Sequence, residues 1–251
     1  RVIEIPCKRC GGWRGRGIRG HPGCRAGLGA GIVFQASHTD AEASLLKRAL
    51  SPGCFALDAG CGRTTRLSAH RDRISRLVGI DLDARACAEN TALDDFIVAD
   101  LCAPVPLDAG SFDLVYANFV VEHLERPAAA FAQWRRILKP GGALILLTTN
   151  RANPVIAASL LVGERARRAI KRAGAGVAER DVIPVRYGAN TPWTLDALLR
   201  DSGFRRVQLH QVATLHRYSE RAPLLAAGLR GLERGLPPQL RSTLVAWYRA
   251  V

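Results

Sequence analysis

Between Thr39 and Thr149, short apolar runs alternate with helical patterns, and a chain with that alternation folds most simply as parallel strands wrapped by helices. Thr39 to Leu50 predicts a helix with Leu45, Leu46, Ala49 and Leu50 on one face and a stop at Ser51-Pro52-Gly53. Cys54 to Asp58 reads as a buried strand, closed by Ala59-Gly60-Cys61-Gly62. A short helix over Thr64 to Arg71, a second strand over Arg76 to Asp81 and a second helix over Asp83 to Ala92 follow. Further strands are expected at Phe96 to Asp100, Phe112 to Tyr116 and Ala143 to Thr149. Before the last of these, Pro127 to Leu138 is an amphipathic helix closed by Lys139-Pro140-Gly141-Gly142. The expected fold class is α/β, a doubly wound, mostly parallel, Rossmann-like sheet.

The flanks differ in character from this module. Residues 1–36 form a basic Gly/Arg-rich leader, read as either disordered or mispredicted, with seven Lys/Arg against one Glu. The middle, residues 37–150, carries twelve basic against fourteen acidic residues, and residues 151–251 carry seventeen against seven, so the +14 net charge belongs to the edges. The main domain is expected over residues 37–217, with an insertion at 151–190 and a helical basic tail at 218–251 broken at Pro237-Pro238. Thr194 to Ser202 returns to helix, and Phe204 to Leu209 with Gln211 to Arg217 are read as a terminal pair of strands. No apolar window approaches the ~18 residues of a membrane span. Seven Cys in a chain of this size fit reduced thiols in a cytoplasm better than a disulfide framework. There is no Met, even at position 1, so the chain is expected to start downstream of its initiator.

The chemistry concentrates at strand ends. In Leu57-Asp58-Ala59-Gly60-Cys61-Gly62 two glycines let the backbone turn sharply and come close to a ligand. A pyrophosphate would want a third small residue where Thr65 stands, and Asp58 would repel it while attracting a cationic amino group. Asp81 follows Gly62 by nineteen residues, the place from which a carboxylate accepts both hydroxyls of a ribose, and Asp100 ends the third strand, where it could accept an adenine amino proton. Three acids at three successive strand ends, facing one crevice, make a specific constellation.

With these residues the sequence resembles the class I S-adenosylmethionine-dependent methyltransferases, in their small-molecule, type 11-like branch. The resemblance is carried by Leu57 to Gly62, Gly79-Ile80-Asp81, Ala99-Asp100-Leu101 and Pro106 to Val115. It continues through Val121-Glu122-His123-Leu124 and Leu138 to Gly142. It implies S-adenosylmethionine as cofactor, with Asp58, Gly60 and Gly62 at its methionine part, Asp81 and Leu82 at the ribose, Asp100 and Leu101 at the adenine, and Asn118 beneath the sulfonium. It also implies methyl transfer to a small-molecule or lipid-linked acceptor, a reaction that depends mainly on holding the nucleophile aligned. His123 is the candidate base within the matching run.

Other features have narrower readings. Asp113 is expected to position backbone, and Cys61 to be a small filler, since no Lys or His near it in sequence would lower its pKa. Arg186, Tyr187 and Asn190, in the Pro-bounded segment before a late helix, are substrate candidates. Cys7, Cys10, His21 and Cys24 have the pair spacings of a zinc ribbon. The stretch between them lacks the apolar residues to build one, so no metal is expected. Pro154 to Val162 followed by five Arg/Lys within residues 165–172 has the composition of an interfacial helix, which suggests peripheral association with an anionic membrane surface. An RNA-modifying or RNA-binding role is the alternative, supported by the basic tail and by Trp193, Tyr218, Trp247 and Tyr248; without a recognised signature, nucleic acid is not the expected partner.

Overall fold

A computed structural model describes residues 37–161, 184–216 and 223–251. Helix α1 (His38–Ala49) starts where Ser37 and Asp40 cap each other reciprocally, and it buries Ala41, Leu45 and Leu46. Strands β1 (Cys54–Ala59), β2 (Ile74–Asp81), β3 (Asp95–Val98), β4 (Phe112–Asn118) and β5 (Leu138–Thr149) are parallel. Between them lie α2 (Ala84–Glu89), capped by the Asp83 carboxylate, and α3 (Pro127–Ile137). After β5 come α4 (Pro154–Ser159), α5 (Pro192–Asp201), β6 (Phe204–Val212), α6 (Pro223–Gly235) and β7 (Thr243–Ala250). The seven strands lie in the order β3-β2-β1-β4-β5-β7-β6, with β7 antiparallel to both its neighbours.

The sheet is mostly parallel, as its apolar runs predict, and two packed layers cover its faces. On one, Phe131, Trp134 and Ile137 of α3 and Leu195 and Leu199 of α5 meet Leu57, Val115 and Leu146. On the other, Leu45 and Leu46 of α1 meet Leu114, Tyr116, Ile145 and Trp247. Strand order reverses between β1 and β4, which opens a crevice at their carboxyl ends.

Four sequence expectations change. Thr64 to Arg71 is not an α-helix but a single 3₁₀ turn, Arg66–His70, with Thr65 capping it. Strand β5 is entered at Leu138, which pairs with Phe112, but Lys139-Pro140-Gly141-Gly142 then bulge opposite Asp113, with Gly141 at φ +75°, before regular pairing resumes at Ala143. The expected terminal strand pair is one strand, β6, whose hairpin-like partner is β7. The tail is therefore not a helical appendage: residues 243–250 insert between β5 and β6, and the domain runs past residue 217 to the end of the described chain. Buried on both faces, Thr243 to Tyr248 show no alternation, and their β-branched and aromatic content was the available signal. Burial of Trp247 and Tyr248 in β7 also removes two of the aromatic residues offered for stacking on RNA, while Trp193 is 56% exposed and Tyr218 lies outside the described residues. The leader, with Cys7, Cys10, His21 and Cys24, and the basic run 165–172 also lie outside them. No helix among the described residues is long and apolar enough to cross a membrane.

Candidate functional site

The carboxyl end of β1 makes a turn that only glycine suits. Gly60 has φ +77°, and a Cβ there would lie 2.3 Å from a methyl of Val120. Gly62 has φ +49°, yet a Cβ on it would meet nothing within 4 Å, so one glycine closes on protein and the next faces open space. Ile80 carbonyl accepts from both Gly60 N–H (2.7 Å) and Cys61 N–H (3.1 Å), and the Asn90 amide donates to the Cys61 and Gly62 carbonyls from below. Cys61 points into the core, its Sγ 3.7 Å from that of Cys87, and burial pushes its thiol pKa up; the filler reading fits. Gly79 is needed behind it, where a Cβ would come within 2.7 Å of Cys61 Sγ.

The three strand-end acids are not equivalent. Asp81 accepts the Gly62 N–H on one oxygen (3.0 Å) and the Asp83 N–H on the other (3.0 Å), leaving a lone pair on each for a pair of hydroxyls. Asp100 is exposed, with one oxygen on the Cys102 N–H at 2.8 Å. Asp58 is buried, 2% exposed, unlike the other two. Burial, opposed by the Thr65 hydroxyl and reinforced by the charges of Asp81 and Glu42, pushes its carboxyl up to about 7. Nearby, buried Glu42 accepts from the Tyr116 hydroxyl and pairs with Arg66 at 2.9 Å.

Apolar contributions also divide. Leu82 is 72% exposed beside Asp81, while Leu101 is 8% exposed and belongs to the core. Asn118 ends β4 with its side-chain oxygen buried and unpartnered, ahead of Phe119 at φ +54°. An orphaned acceptor, an open glycine and a carboxylate with two free lone pairs suit a polar ligand carrying hydroxyls and a positive charge.

The next turn, Val121–His123, packs on this one through Val120. His123 Nδ1 lies 2.7 Å from the Pro184 carbonyl, an oxygen that can only accept, so Nδ1 carries the proton and Nε2 of the neutral ring is left as the acceptor. The Glu122 carbonyl accepts from the Arg186 and Tyr187 N–H groups, and its buried carboxylate accepts from the Thr148 and Thr149 hydroxyls at 2.7 and 2.9 Å. Of the substrate candidates, exposed Arg186 is paired with Glu125 at 2.6 Å, and Tyr187 has φ +54°. Asn190 is 1% exposed; its amide donates to Thr148 Oγ1 and the Thr149 carbonyl, binding the loop to β5, and its Oδ1 is buried without a partner. Asp113 positions backbone, accepting from Phe55 N–H and Lys139. Sequence reasoning gave no role to Glu122, Asn150, Asn153 and Glu233, whose partners come from other elements of the fold.

Residues 57–146 match the methyltransferase domain family. A malonyl-[acyl-carrier protein] O-methyltransferase from Enterobacter lignolyticus is 36% identical over 95 residues, covering 37% of this chain and 38% of that protein. A ubiquinone biosynthesis O-methyltransferase from Psychrobacter arcticus is 32% identical over 178 residues, 64% of each chain. The chain thus spans less than two thirds of either relative. Among solved structures, an S-adenosylmethionine dependent methyltransferase from Mesorhizobium loti superposes with a TM-score of 0.52 at 22% identity, covering 83% of this chain and 97% of that one.

Proposed function

From residues 57–146 being a methyltransferase domain on a class I sheet, we propose that this chain transfers the methyl group of S-adenosylmethionine to a small-molecule acceptor. The cofactor supplies an electrophilic methyl carbon on a sulfonium. Asp81 would accept the ribose hydroxyls, Leu82 and Asp100 would flank the adenine, and Gly60 and Gly62 would let the methionine part approach the backbone. Asn118 would offer its unpartnered oxygen to the cationic end. Leu101 acts from the core, by supporting the Asp100 turn. Asp58 contributes charge from beneath the turn.

Orientation is this chain's main contribution, and proton removal the second where the acceptor is protonated. The Pro184 carbonyl holds the His123 ring with Nε2 available, so His123 is the proposed base. The two O-methyltransferase relatives support a small-molecule acceptor. The finer reading, a lipid-linked acceptor met at an anionic surface, is supported by the net +10 of residues 151–251, where seventeen basic residues face seven acids. Arg186 and Tyr187 are the proposed acceptor-side residues, with Asn190 holding their loop.

The observation that carries this reading is the Asp81 carboxylate, fixed by two backbone N–H groups with its outer lone pairs free. Isothermal calorimetry on the full chain tests it. S-adenosylmethionine should bind and NAD should not, because Asp58 and Thr65 leave no pyrophosphate cradle; equal or tighter binding of NAD overturns the reading. A metabolite extract screened for labelled methyl incorporation then identifies the acceptor.

A further inference from the structure

Strands β6 and β7 gather positive charge on the α1 side of the sheet, at the end opposite the crevice. Arg205 pairs with Arg249 across the two strands, so their side chains leave the same face directly opposite one another. Trp247, two residues before Arg249, shares that face and belongs to the layer packed under α1. Two guanidiniums lie against its ring, Arg48 of α1 at 5.1 Å and Arg249 at 5.3 Å from the centroid, which sets the two charges within about 10 Å of each other. Thr243 marks the crevice end of β7, and Arg249, six residues further on, lies about 20 Å away from it.

The polar groups of this cluster are donors in want of an acceptor. Arg48 can only donate, so the Gln208 side-chain atom it meets is the oxygen, and the Gln208 amide in turn donates to His210 Nε2 at 2.8 Å. The neutral His210 ring therefore carries its proton on Nδ1. Burial, and then the Arg48 charge, hold the His210 pKa below the usual imidazole value, so the field of that arginine reaches the strand unquenched. Arg249 has only the Gly141 carbonyl, at 3.4 Å, and the Trp247 indole N–H is buried without a partner. Among the described residues no carboxylate pairs with Arg48, Arg205 or Arg249. Asp113, at the same end of the sheet, is spent on Lys139 and the Phe55 N–H, and Asp196, on the other face, on Arg206 and Tyr248. Like charges directly opposite one another on adjacent strands destabilise a sheet, and an anion held between them removes that cost.

We infer that Arg48, Arg205 and Arg249 form a binding site for a small phosphorylated ligand, remote from the crevice. A carboxylate brings one negative charge, whereas a phosphate monoester brings about 1.5 to 2 and meets guanidinium forks through paired hydrogen bonds, which suits three arginines without a carboxylate partner. A protein partner would need an apolar centre, and Trp247, the aromatic ring on this face, is 4% exposed under its two guanidiniums. A nucleic-acid strand would need charge continued along the surface. Here the charge stops, because the same face runs on through Trp247, Gln208, Val245 and His210 without another arginine. No residue of the crevice takes part, so the site stands apart from the methyl-transfer reading.

The test is isothermal calorimetry of the full chain with pyrophosphate at low ionic strength. The wild type should bind it, and Arg48→Gln/Arg249→Gln should weaken binding about tenfold or more. Arg205→Gln should weaken it by a smaller factor, and at its exposed position it keeps the test open should the double variant fail to fold. Arg76→Gln/Arg200→Gln removes the same charge from exposed positions elsewhere and should bind like the wild type. Melting temperature and S-adenosylmethionine binding should stay unchanged in all three variants. A wild type that does not bind pyrophosphate overturns the inference, as does undiminished binding by both the Arg48/Arg249 and the Arg205 variants, or an equal loss in the Arg76/Arg200 control. A short single-stranded RNA that binds far more tightly than pyrophosphate, and loses that affinity with Arg48 and Arg249, would also overturn it by making the face a nucleic-acid surface.

Discussion

The two halves of the sheet use buried and half-buried polar groups in opposite ways. Around β1, β2 and β3 the polar atoms are held but not exhausted: Asp81 spends one lone pair of each oxygen on backbone, Asn118 Oδ1 has no partner, and Gly62 faces open space. Around β5, β7 and β6 most of the charged and amide groups are tied into the fold, although Asn190 Oδ1 and Trp247 Nε1 are buried without a partner. Glu233 joins α6, β7 and the end of β6; the Asn150 amide donates to the Gln239 and Arg241 carbonyls; Glu122 takes two threonine hydroxyls. At the strand ends the unspent valence belongs to carboxylate and amide oxygens that a ligand's hydroxyls and charge could use, whereas Glu233, Asn150 and Glu122 are spent on the fold.

That contrast predicts opposite phenotypes, and the largest belongs to the scaffold. Glu233→Ala leaves the Leu215 and Ser242 N–H groups buried and unpaired, which should cost about 3–5 kcal/mol of stability. Thermal unfolding should show a drop of many degrees, with cofactor affinity near normal at low temperature. A variant as stable as wild type would mean that Glu233 is not the staple the geometry suggests.

Asp81→Ala should do the reverse. Loss of a charge-assisted acceptor for two hydroxyls should weaken S-adenosylmethionine binding by roughly 2–4 kcal/mol, more than tenfold, while the melting temperature moves little. Calorimetry and thermal denaturation of the same sample separate the two effects. Retained affinity would place the adenosine elsewhere.

The same division explains what could be read from the sequence. In the β1 to β3 half, Gly60, Gly62 and Asp81 fall within one strand–turn–strand unit whose residue types and spacing form a readable motif. The scaffold half carries no comparable motif. Glu233 looks like one acid in a Leu/Arg-rich helix until residue 153 is folded against it, and β7 looks like more of that helix because burial on both faces erases the alternation that betrays a strand. Asn190 was legible as polar and loop-borne, but nothing local tells that its amide spans back to Thr148 and Thr149. Asp58 marks the limit within the better-read half. Its type and spacing were legible, but its burial beneath the turn was not.

Gly60→Ala sits on the boundary between the halves, since the new methyl would strike Val120, the residue that carries the His123 turn. Strain from φ +77° alone is worth about 1–2 kcal/mol, and the clash adds to it. Adding Val120→Ala should recover the part due to the clash and not the part due to backbone, so stability should be only partly rescued. Full rescue would show that the backbone tolerates alanine there, and no rescue that Val120 does not make the contact.

The smallest expected effect concerns Asp58, the acid that is buried although it belongs to the ligand-facing half. Its carboxyl is pushed up to about 7 from an ordinary 3.8, chiefly by burial. Between those values the folded state holds a proton that the unfolded chain has lost. The resulting stability is therefore complete at acid pH and is lost as pH rises through about 7. A bound cation acts against this, because it favours the charged carboxylate, lowers the pKa and expels the proton. Affinity for S-adenosylmethionine should accordingly rise about tenfold, or about 1.4 kcal/mol, between pH 6 and 8. Calorimetry in two buffers of different ionisation enthalpy should register a fraction of a proton released near pH 7. Asp58→Asn should flatten both the pH profile and the buffer dependence, since the amide cannot titrate. A flat profile in the wild type would mean that the charge beneath the turn does not sense the ligand. Asp58 would then belong with Glu233 and Glu122 as scaffold, leaving Asp81 and Asp100 as the ligand-facing acids.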